Sequence, residues 1–82
     1  MKKLLSTRAA DQRSRLYAYL KEHKHISTLT ARTELDILAP APRILELRRD
    51  GVNIVTQWKV EDTPKGTHRI ADYVLLSGGE NG

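Results

Sequence analysis

The hydrophobic period of the chain changes at Gly51, and this change limits the possible folds more than any other feature. Before Gly51, apolar residues recur at the spacing of amphipathic helices. After it, β-branched and aromatic residues alternate along residues 53–60, as they do in a strand. A chain that places its helices first and its strands last belongs to the α+β class. Because the chain has only 82 residues, these elements share one small core.

Three helices are predicted in the first part of the chain, over residues 10–24, 28–35 and 40–50. Ser27 or Thr28 can cap the second helix, since a hydroxyl at that position accepts a bond from a free backbone N–H group. Pro40 and Pro42 fit the first turn of the third helix, where a backbone N–H has no intrahelical acceptor. Gly51 ends this helix as a left-handed stop.

Two strands are predicted after the third helix, over residues 53–60 and 68–76. Turn-forming residues join them at 61–67, so the two strands form a β-hairpin. Trp58 and Tyr73 are interpreted as residues of the core or its edge rather than as stacking platforms. Ile26, an isolated β-branched residue, is assigned to no element, and residues 36–38 are expected to turn back into the core.

The predicted core takes the inward position of each hydrophobic period. Its members are Leu16, Leu20, Ala31, Leu35, Ile44, Leu47, Ile54, Tyr73 and Leu75. Arg48 lies near this face of the third helix, so its aliphatic stem is expected to run along apolar surface.

The charge of the chain is uneven along its length. The formal net charge is +4, and residues 1–49 hold eleven Lys and Arg against five Asp and Glu. Residues 50–82 hold three basic residues against five acidic ones. A basic half on a small domain favours a polyanionic partner, although ordinary solubility charge explains the composition equally well. Residues 1–9 are predicted to be a flexible basic arm, and residues 77–82 a flexible tail.

The composition argues against several classes of protein. The chain has no cysteine, which excludes disulfides, a thiol nucleophile and zinc–thiolate sites. No apolar run approaches the roughly 18 residues of a membrane span, and the apolar stretch at the start stops at Ser6, so we expect a cytoplasmic protein without a membrane partner. His23 and His25 do not share a helix face, and no glycine-rich phosphate loop follows a strand. We therefore expect no catalysis, no cofactor and no metal site.

Two segments of the chain carry a family resemblance. Residues 28–37 resemble the first helix and turn of a helix-turn-helix, and residues 43–54 show the pattern R-I-x-E-L-R-x-x-G-x-x-I. That pattern resembles small phage and prophage proteins of a winged helix-turn-helix family, which also share a closing strand like residues 69–75. The resemblance covers about residues 12–76. It implies a winged helix-turn-helix domain over residues 10–76, with three helices followed by a two-stranded β-hairpin wing.

The resemblance implies that double-stranded DNA is the partner, with the third helix in the major groove and the second crossing the phosphate backbone. The predicted DNA-binding residues are Thr28, Thr30, Arg32, Pro42, Arg43, Glu46, Arg49, Lys65 and Arg69. Arg43 is expected to face outward with Glu46 and Arg49, where its guanidinium can grip guanine O6 and N7. Alternatively, Arg43 pairs with Glu46 on a solvated face. For Thr28 and Thr30, the alternative to a phosphate contact is simple capping of the helix. For the wing residues, the alternative to a DNA contact is an ordinary solvated loop.

The entry of the third helix departs from the family pattern. Its two prolines remove backbone donors that could bond phosphates. Ala39, Ala41 and Pro42 are small and apolar, so they can approach a thymine methyl group.

The function predicted from these observations is sequence-specific DNA binding by a small phage or mobile-element transcriptional regulator. One such domain covers one half-site, so a homodimer or tandem loading on DNA is expected. The alternative function is a protein-interaction module, a phage-encoded inhibitor or adaptor that uses the same fold to bind a host or phage protein without binding DNA.

Overall fold

Three helices and a three-stranded antiparallel sheet make up the fold, in a computed structural model that describes residues 5–76. The helices are α1 (Ala9–His23), α2 (Thr28–Glu34) and α3 (Pro40–Arg49). The strands are β1 (His25–Ser27), β2 (Ile54–Thr63) and β3 (Gly66–Leu75), and β3 lies between the other two. Lys2 and Lys3 of the predicted arm, and the predicted tail at 77–82, lie outside the described residues.

The three predicted helices are confirmed to within one residue at each end, and local chemistry sets their limits. Ser27, rather than Thr28, caps α2, because its Oγ accepts a bond of 3.0 Å from the Thr30 N–H. Pro40 is the first residue of α3, where its missing N–H leaves no bond unmade. Gly51 follows the end of α3 with a φ of 98°, a conformation that glycine adopts without a Cβ clash.

The third strand of the sheet, β1, was not predicted. Ile26 lies opposite Tyr73 in an antiparallel pair between β1 and β3, and its side chain is buried. The two-stranded wing expected from the sequence is therefore part of a three-stranded sheet. A strand of three residues is too short to show a period, and its partner lies 47 positions further along the chain at Tyr73 and its neighbours. Local pattern alone does not reveal such a pairing.

The hairpin of β2 and β3 is longer than predicted, and its turn is tighter. Residues 61–67 were expected to form a loop, but Glu61 and Asp62 continue β2 and the turn has only Pro64 and Lys65 between the paired strand ends. The Thr67 hydroxyl donates to Asp62 Oδ1 at 2.9 Å across the strands. These polar side chains bond across the ladder instead of bending the chain, which is why their turn propensity misled the prediction.

The core largely follows the predicted periods. Seven predicted members are buried: Leu16, Leu20, Ala31, Ile44, Leu47, Ile54 and Tyr73. Leu35 and Leu75 are half-buried and pack against this cluster. The expected turn of residues 36–38 into the core is confirmed for Ile37, because Asp36 adopts a left-handed φ of 58° and the Ile37 N–H donates to Ala31 O. The expectation was wrong for Leu38, which is 74% exposed and lines a surface cleft. Ile26 and Ala71 are further buried members.

Trp58 was predicted as a core or core-edge residue, and that prediction was wrong. Trp58 is 59% exposed, although it lies opposite buried Ala71 in the hairpin. The ten-residue strands extend beyond the helices that would cover them. Val60, one pair further out on the same face, is exposed for the same reason.

Leu47→Ala should lower the free energy of unfolding by about 2–5 kcal/mol, because it removes buried methyl groups beneath α3. Leu45→Ala is the matched control, since the same substitution two residues earlier falls on a side chain that is 47% exposed. We expect the control to change stability by no more than about 0.5 kcal/mol. Urea titrations of both variants measure the difference. Equal effects of the two substitutions would show that the buried and exposed faces of α3 are assigned wrongly.

Candidate nucleic-acid interface

The N-terminus of α2 is held by a network of hydroxyl groups. Ser27 Oγ donates to Thr30 Oγ1 at 3.0 Å, in addition to accepting from the Thr30 N–H. The Thr28 hydroxyl donates to Ala71 O on β3 at 3.5 Å. Both predicted threonines therefore have local structural partners. Thr30 accepts in its bond to Ser27, so its own proton can still be donated to an outside acceptor.

Helix α3 turns a different set of residues outward than the sequence suggested. Ala41, Pro42, Leu45 and Arg49 are exposed, together with Arg48. Arg43 and Glu46 were expected on this outward face, but both are half-buried and lie beside the core. The reason is helical spacing: Arg43 follows buried Pro40 by three residues and precedes buried Leu47 by four, so it borders the inward stripe.

Arg43, Glu46 and Arg13 form an ion-pair network that joins α3 to α1. Arg13 Nη1 donates to Glu46 Oε1 at 2.8 Å, and Arg43 Nη2 donates to Glu46 Oε2 at 3.0 Å. The Arg43 side chain is 20% exposed. The hydrogen bond from Arg13 is the main cause that lowers the pKa of Glu46; burial opposes it, and the charges of Arg43 and Arg13 add to the lowering. The alternative in which Arg43 pairs with Glu46 is therefore the arrangement present in this structure.

Arg48 joins the other flank of α3 to the hairpin. Its Nε donates to Ile54 O at 2.7 Å, and its Nη2 donates to Thr56 Oγ1 at 2.9 Å. The aliphatic stem of Arg48 was expected to run along apolar surface, but the residue is exposed and its main contacts are these two hydrogen bonds. Through them, its guanidinium fixes the start of β2 against the end of α3.

Arg32 lies on the exposed side of α2, where its Nε donates to Leu38 O at 2.9 Å. This bond holds the turn between α2 and α3. A guanidinium has five N–H donors in all, so one bond to the backbone does not occupy the group.

The hairpin of β2 and β3 carries the remaining predicted cations. Lys65 lies in the turn at its tip and is exposed. The Arg69 guanidinium stacks over the Trp58 ring, with 4.8 Å between its central carbon and the ring centroid. His68 lies opposite Glu61, so an acidic residue accompanies the basic ones. Arg69 and Trp58 belong to the face of the hairpin that continues inward into the core.

A cleft lies between α2, the start of α3 and this face of the hairpin. Its volume is about 530 Å³. The exposed apolar residues Leu29, Leu38 and Trp58 line it, and Arg32 and Arg69 supply charge. A second cleft of about 510 Å³ shares the Leu38–Ala39 segment and is lined by Pro42 and Arg43, among others. These clefts bring Thr28, Arg32 and Arg69 to one surface, and Pro42 and Arg43 to its neighbour.

Sequence reasoning missed the exposed apolar members of this surface. Single exposed leucines are common, so neither Leu29 nor Leu38 stands out in the sequence. Leu45 is detectable in retrospect, because helical spacing places it between the exposed Ala41 and Arg49. The exposure of Trp58 depends on how far the hairpin extends beyond the helices, and the local sequence pattern does not predict that distance.

A further unpredicted group lies on the other face of the sheet. Asp72 of β3 is buried, and its carboxylate oxygens lie 3.3 Å from His25 Nδ1 and 3.3 Å from Lys59 Nζ. His25 is on β1 and Lys59 on β2, so this carboxylate joins all three strands. Within residues 5–76, no group of three or more histidine and carboxylate side chains is arranged to hold a metal ion.

The order of three helices and a β-hairpin, with α2 and α3 joined by a short turn and the hairpin bonded to α3 through Arg48, defines a winged helix-turn-helix domain, a DNA-binding fold. The chain belongs to this family: the family model described as "Winged helix-turn-helix domain" matches residues 11–78. The predicted fold class is thereby confirmed, with β1 as an addition to the predicted hairpin. Comparison with curated proteins and with solved structures gave no match. None of the helices described over residues 5–76 is long and apolar enough to cross a membrane.

Glu46→Gln should lower the melting temperature at neutral pH and have progressively less effect as the pH falls. A carboxylate whose pKa is lowered on folding stabilises the fold above its unfolded pKa, and this stabilisation is lost as the pH falls through the lowered folded pKa. The melting temperatures of parent and variant should therefore begin to converge as the pH falls below about 5, and should continue to converge below the ordinary glutamate pKa of about 4.3.

Glu34→Gln is the control for this experiment, because Glu34 is exposed at the end of α2, outside the ion-pair network. Its melting temperature should stay close to that of the parent throughout. A difference between parent and Glu46→Gln that persists undiminished at pH 3 would contradict the role of this carboxylate.

Proposed function

We propose that this chain is a sequence-specific double-stranded-DNA-binding protein that acts as a small phage or mobile-element transcriptional regulator. The family match over residues 11–78 carries the proposal. The exposed cations of both elements support it: Arg49 on α3, and Lys65 at the tip of the hairpin. In this proposal α3 enters the major groove and the hairpin contacts the neighbouring backbone or minor groove.

Phosphate contacts come from the cations at the edges of this surface. Arg49 is exposed near the C-terminal end of α3, and Arg32 keeps free donors on α2. Thr28 and Thr30 lie at the N-terminus of α2, where backbone N–H groups and hydroxyls suit a phosphate oxygen. Lys65 at the hairpin tip is the wing contact. These contacts position the protein on DNA and carry no sequence information by themselves.

Arg43 and Glu46 receive a different role in this proposal. A guanine contact by Arg43 requires that it leave Glu46, and Glu46 also holds Arg13. Breaking this network on binding would remove side-chain bonds that fix α3 against α1. We therefore assign Arg43 and Glu46 to positioning α3, and Pro42 to the surface that approaches the bases.

One copy of the domain offers one α3, so it covers one half-site. Specific binding by a single small module is weak compared with that of a dimer, and dimeric members of the helix-turn-helix class read two half-sites about one helical turn apart. Because one copy covers only one half-site, the proposal includes a homodimer or tandem loading of copies on neighbouring half-sites.

A second candidate function is a protein-interaction module that docks on a host or phage protein. The observation in its favour is the cleft of about 530 Å³ with exposed Leu29, Leu38 and Trp58. Salt separates the two functions. Binding to DNA through several phosphates weakens steeply as salt rises, whereas apolar docking on a protein does not.

Selection of bound duplexes from a random-sequence pool, at a low and a near-physiological salt concentration, tests the proposed function. We expect an enriched site and a strong fall in affinity with salt. Replacing both Lys65 and Arg69 with glutamine should flatten the slope of log affinity against log salt by about 1 for each lost phosphate contact. That loss should be similar on selected and random DNA.

Lys21→Gln is the matched control, because Lys21 is an exposed lysine on α1 whose ammonium lies over the Tyr17 ring, outside the proposed surface. It should keep the parent slope. An unchanged slope in the Lys65 and Arg69 double variant would remove the wing from the interface. No binding of the parent to any duplex at low salt would overturn DNA binding and leave the protein-interaction function in its place.

A further inference from the structure

We infer that α3 reads DNA through apolar contact with the C5-methyl groups of thymines rather than through hydrogen bonds to guanine. The inference rests on the proposed DNA-binding function and names the base chemistry that this surface would select. The contacting residues are Ala41, Pro42 and Leu45, which we call the methyl-contact surface. All three are exposed on the outward face of α3.

Two of the three arginines of α3 are bonded to acceptors within the protein, so gripping a guanine edge would compete with those bonds. Arg43 is bonded to Glu46, and its side chain is only 20% exposed. Arg48 donates from Nε to Ile54 O and from Nη2 to Thr56 Oγ1. Arg49 is exposed, but it stands at the last position of the helix, further from the entry turn than the three apolar residues.

The backbone at the entry of α3 offers few donors as well. Pro40 and Pro42 have no N–H, so the first turn of the helix cannot present the full set of amide donors that helices usually offer there. What remains at the centre of the outward face is hydrocarbon from Ala41, Pro42 and Leu45.

Only one group on the edges of the base pairs suits such a surface. In the major groove, guanine, cytosine and adenine present hydrogen-bonding groups, whereas thymine adds an apolar C5-methyl group. Pressing leucine against an unpaired donor or acceptor leaves that polar group without a partner, which is costly. Pressing it against a methyl group buries apolar area on both sides, which is favourable.

Charge complementarity identifies DNA as the occupant of this surface. Arg49 flanks the methyl-contact surface at one end of α3, and Arg32 and Arg69 border the adjoining cleft. An apolar centre bordered by cations matches a groove whose floor carries methyl groups and whose walls carry phosphates. An apolar partner protein would fit the centre without needing the three arginines.

Substitution of deoxyuridine for thymidine in the selected duplex tests the inference, because the two bases differ only by the C5-methyl group. For each thymine under α3, we expect binding to weaken about fourfold, the equivalent of one buried methyl group. Thymines outside the protected region serve as internal controls and should show no effect.

Leu45→Ala provides the second arm of the experiment. Leu45 is 47% exposed, so the variant should fold, which a thermal melt verifies. It should discriminate less between thymine and uracil duplexes than the parent does, because one of the three side chains that contact methyl groups is shortened while Ala41 and Pro42 remain. A variant that keeps the full discrimination would remove Leu45 from the contact.

The failures of the two proposals are distinguishable. A parent protein that binds the selected duplex equally well with thymine or uracil overturns methyl reading and leaves DNA binding intact. A selected site without thymine under α3 does the same. A parent that binds no duplex overturns both proposals together.

Discussion

The position of α3 depends on arginines that bond on both flanks of its buried face. On one flank, Glu46 accepts from Arg13 and Arg43 and so joins the helix to α1. On the other, Arg48 bonds to the carbonyl of Ile54 and to the Thr56 hydroxyl at the start of the hairpin. Ion pairs on an open surface contribute little, but Arg13, Arg43 and Glu46 are partly shielded and join two separate helices. A DNA contact by Arg43 or Arg48 would compete with these bonds, and Ala41, Pro42 and Leu45 leave much of the outward face apolar.

The hairpin is fixed to the helices through β1, the strand that the sequence did not reveal. Ile26 pairs with Tyr73, and the carboxylate of buried Asp72 lies 3.3 Å from His25 Nδ1 on β1 and 3.3 Å from Lys59 Nζ on β2. The residue after Ile26 is the N-cap of α2, so the same short segment connects the wing with the helix-turn-helix. The placement of α2 relative to the hairpin therefore follows from one set of contacts. That placement decides which side chains can meet a single DNA duplex together.

The elements governed by local chemistry were predictable from the sequence. Pro40 and Gly51 mark the limits of α3, and the periods of the helices gave most of the core, because these signals act over a few residues. The site was less predictable because it depends on neighbours distant in sequence. Arg43 borders the core stripe and meets Arg13 of α1, which turns it away from the outward face. Trp58 is exposed because the hairpin extends beyond the helices. This is a property of the assembled fold rather than of the strand.

The central claim is that α3 and the hairpin form one DNA-binding surface with an apolar centre and a basic border. Backbone amide chemical shifts of the isotope-labelled protein, titrated with the selected duplex, test it most directly. The account predicts that the largest shifts fall on Ala41, Leu45, Arg49 and Lys65. Shifts confined to the opposite face of the sheet, around His25 and its neighbours, would contradict it.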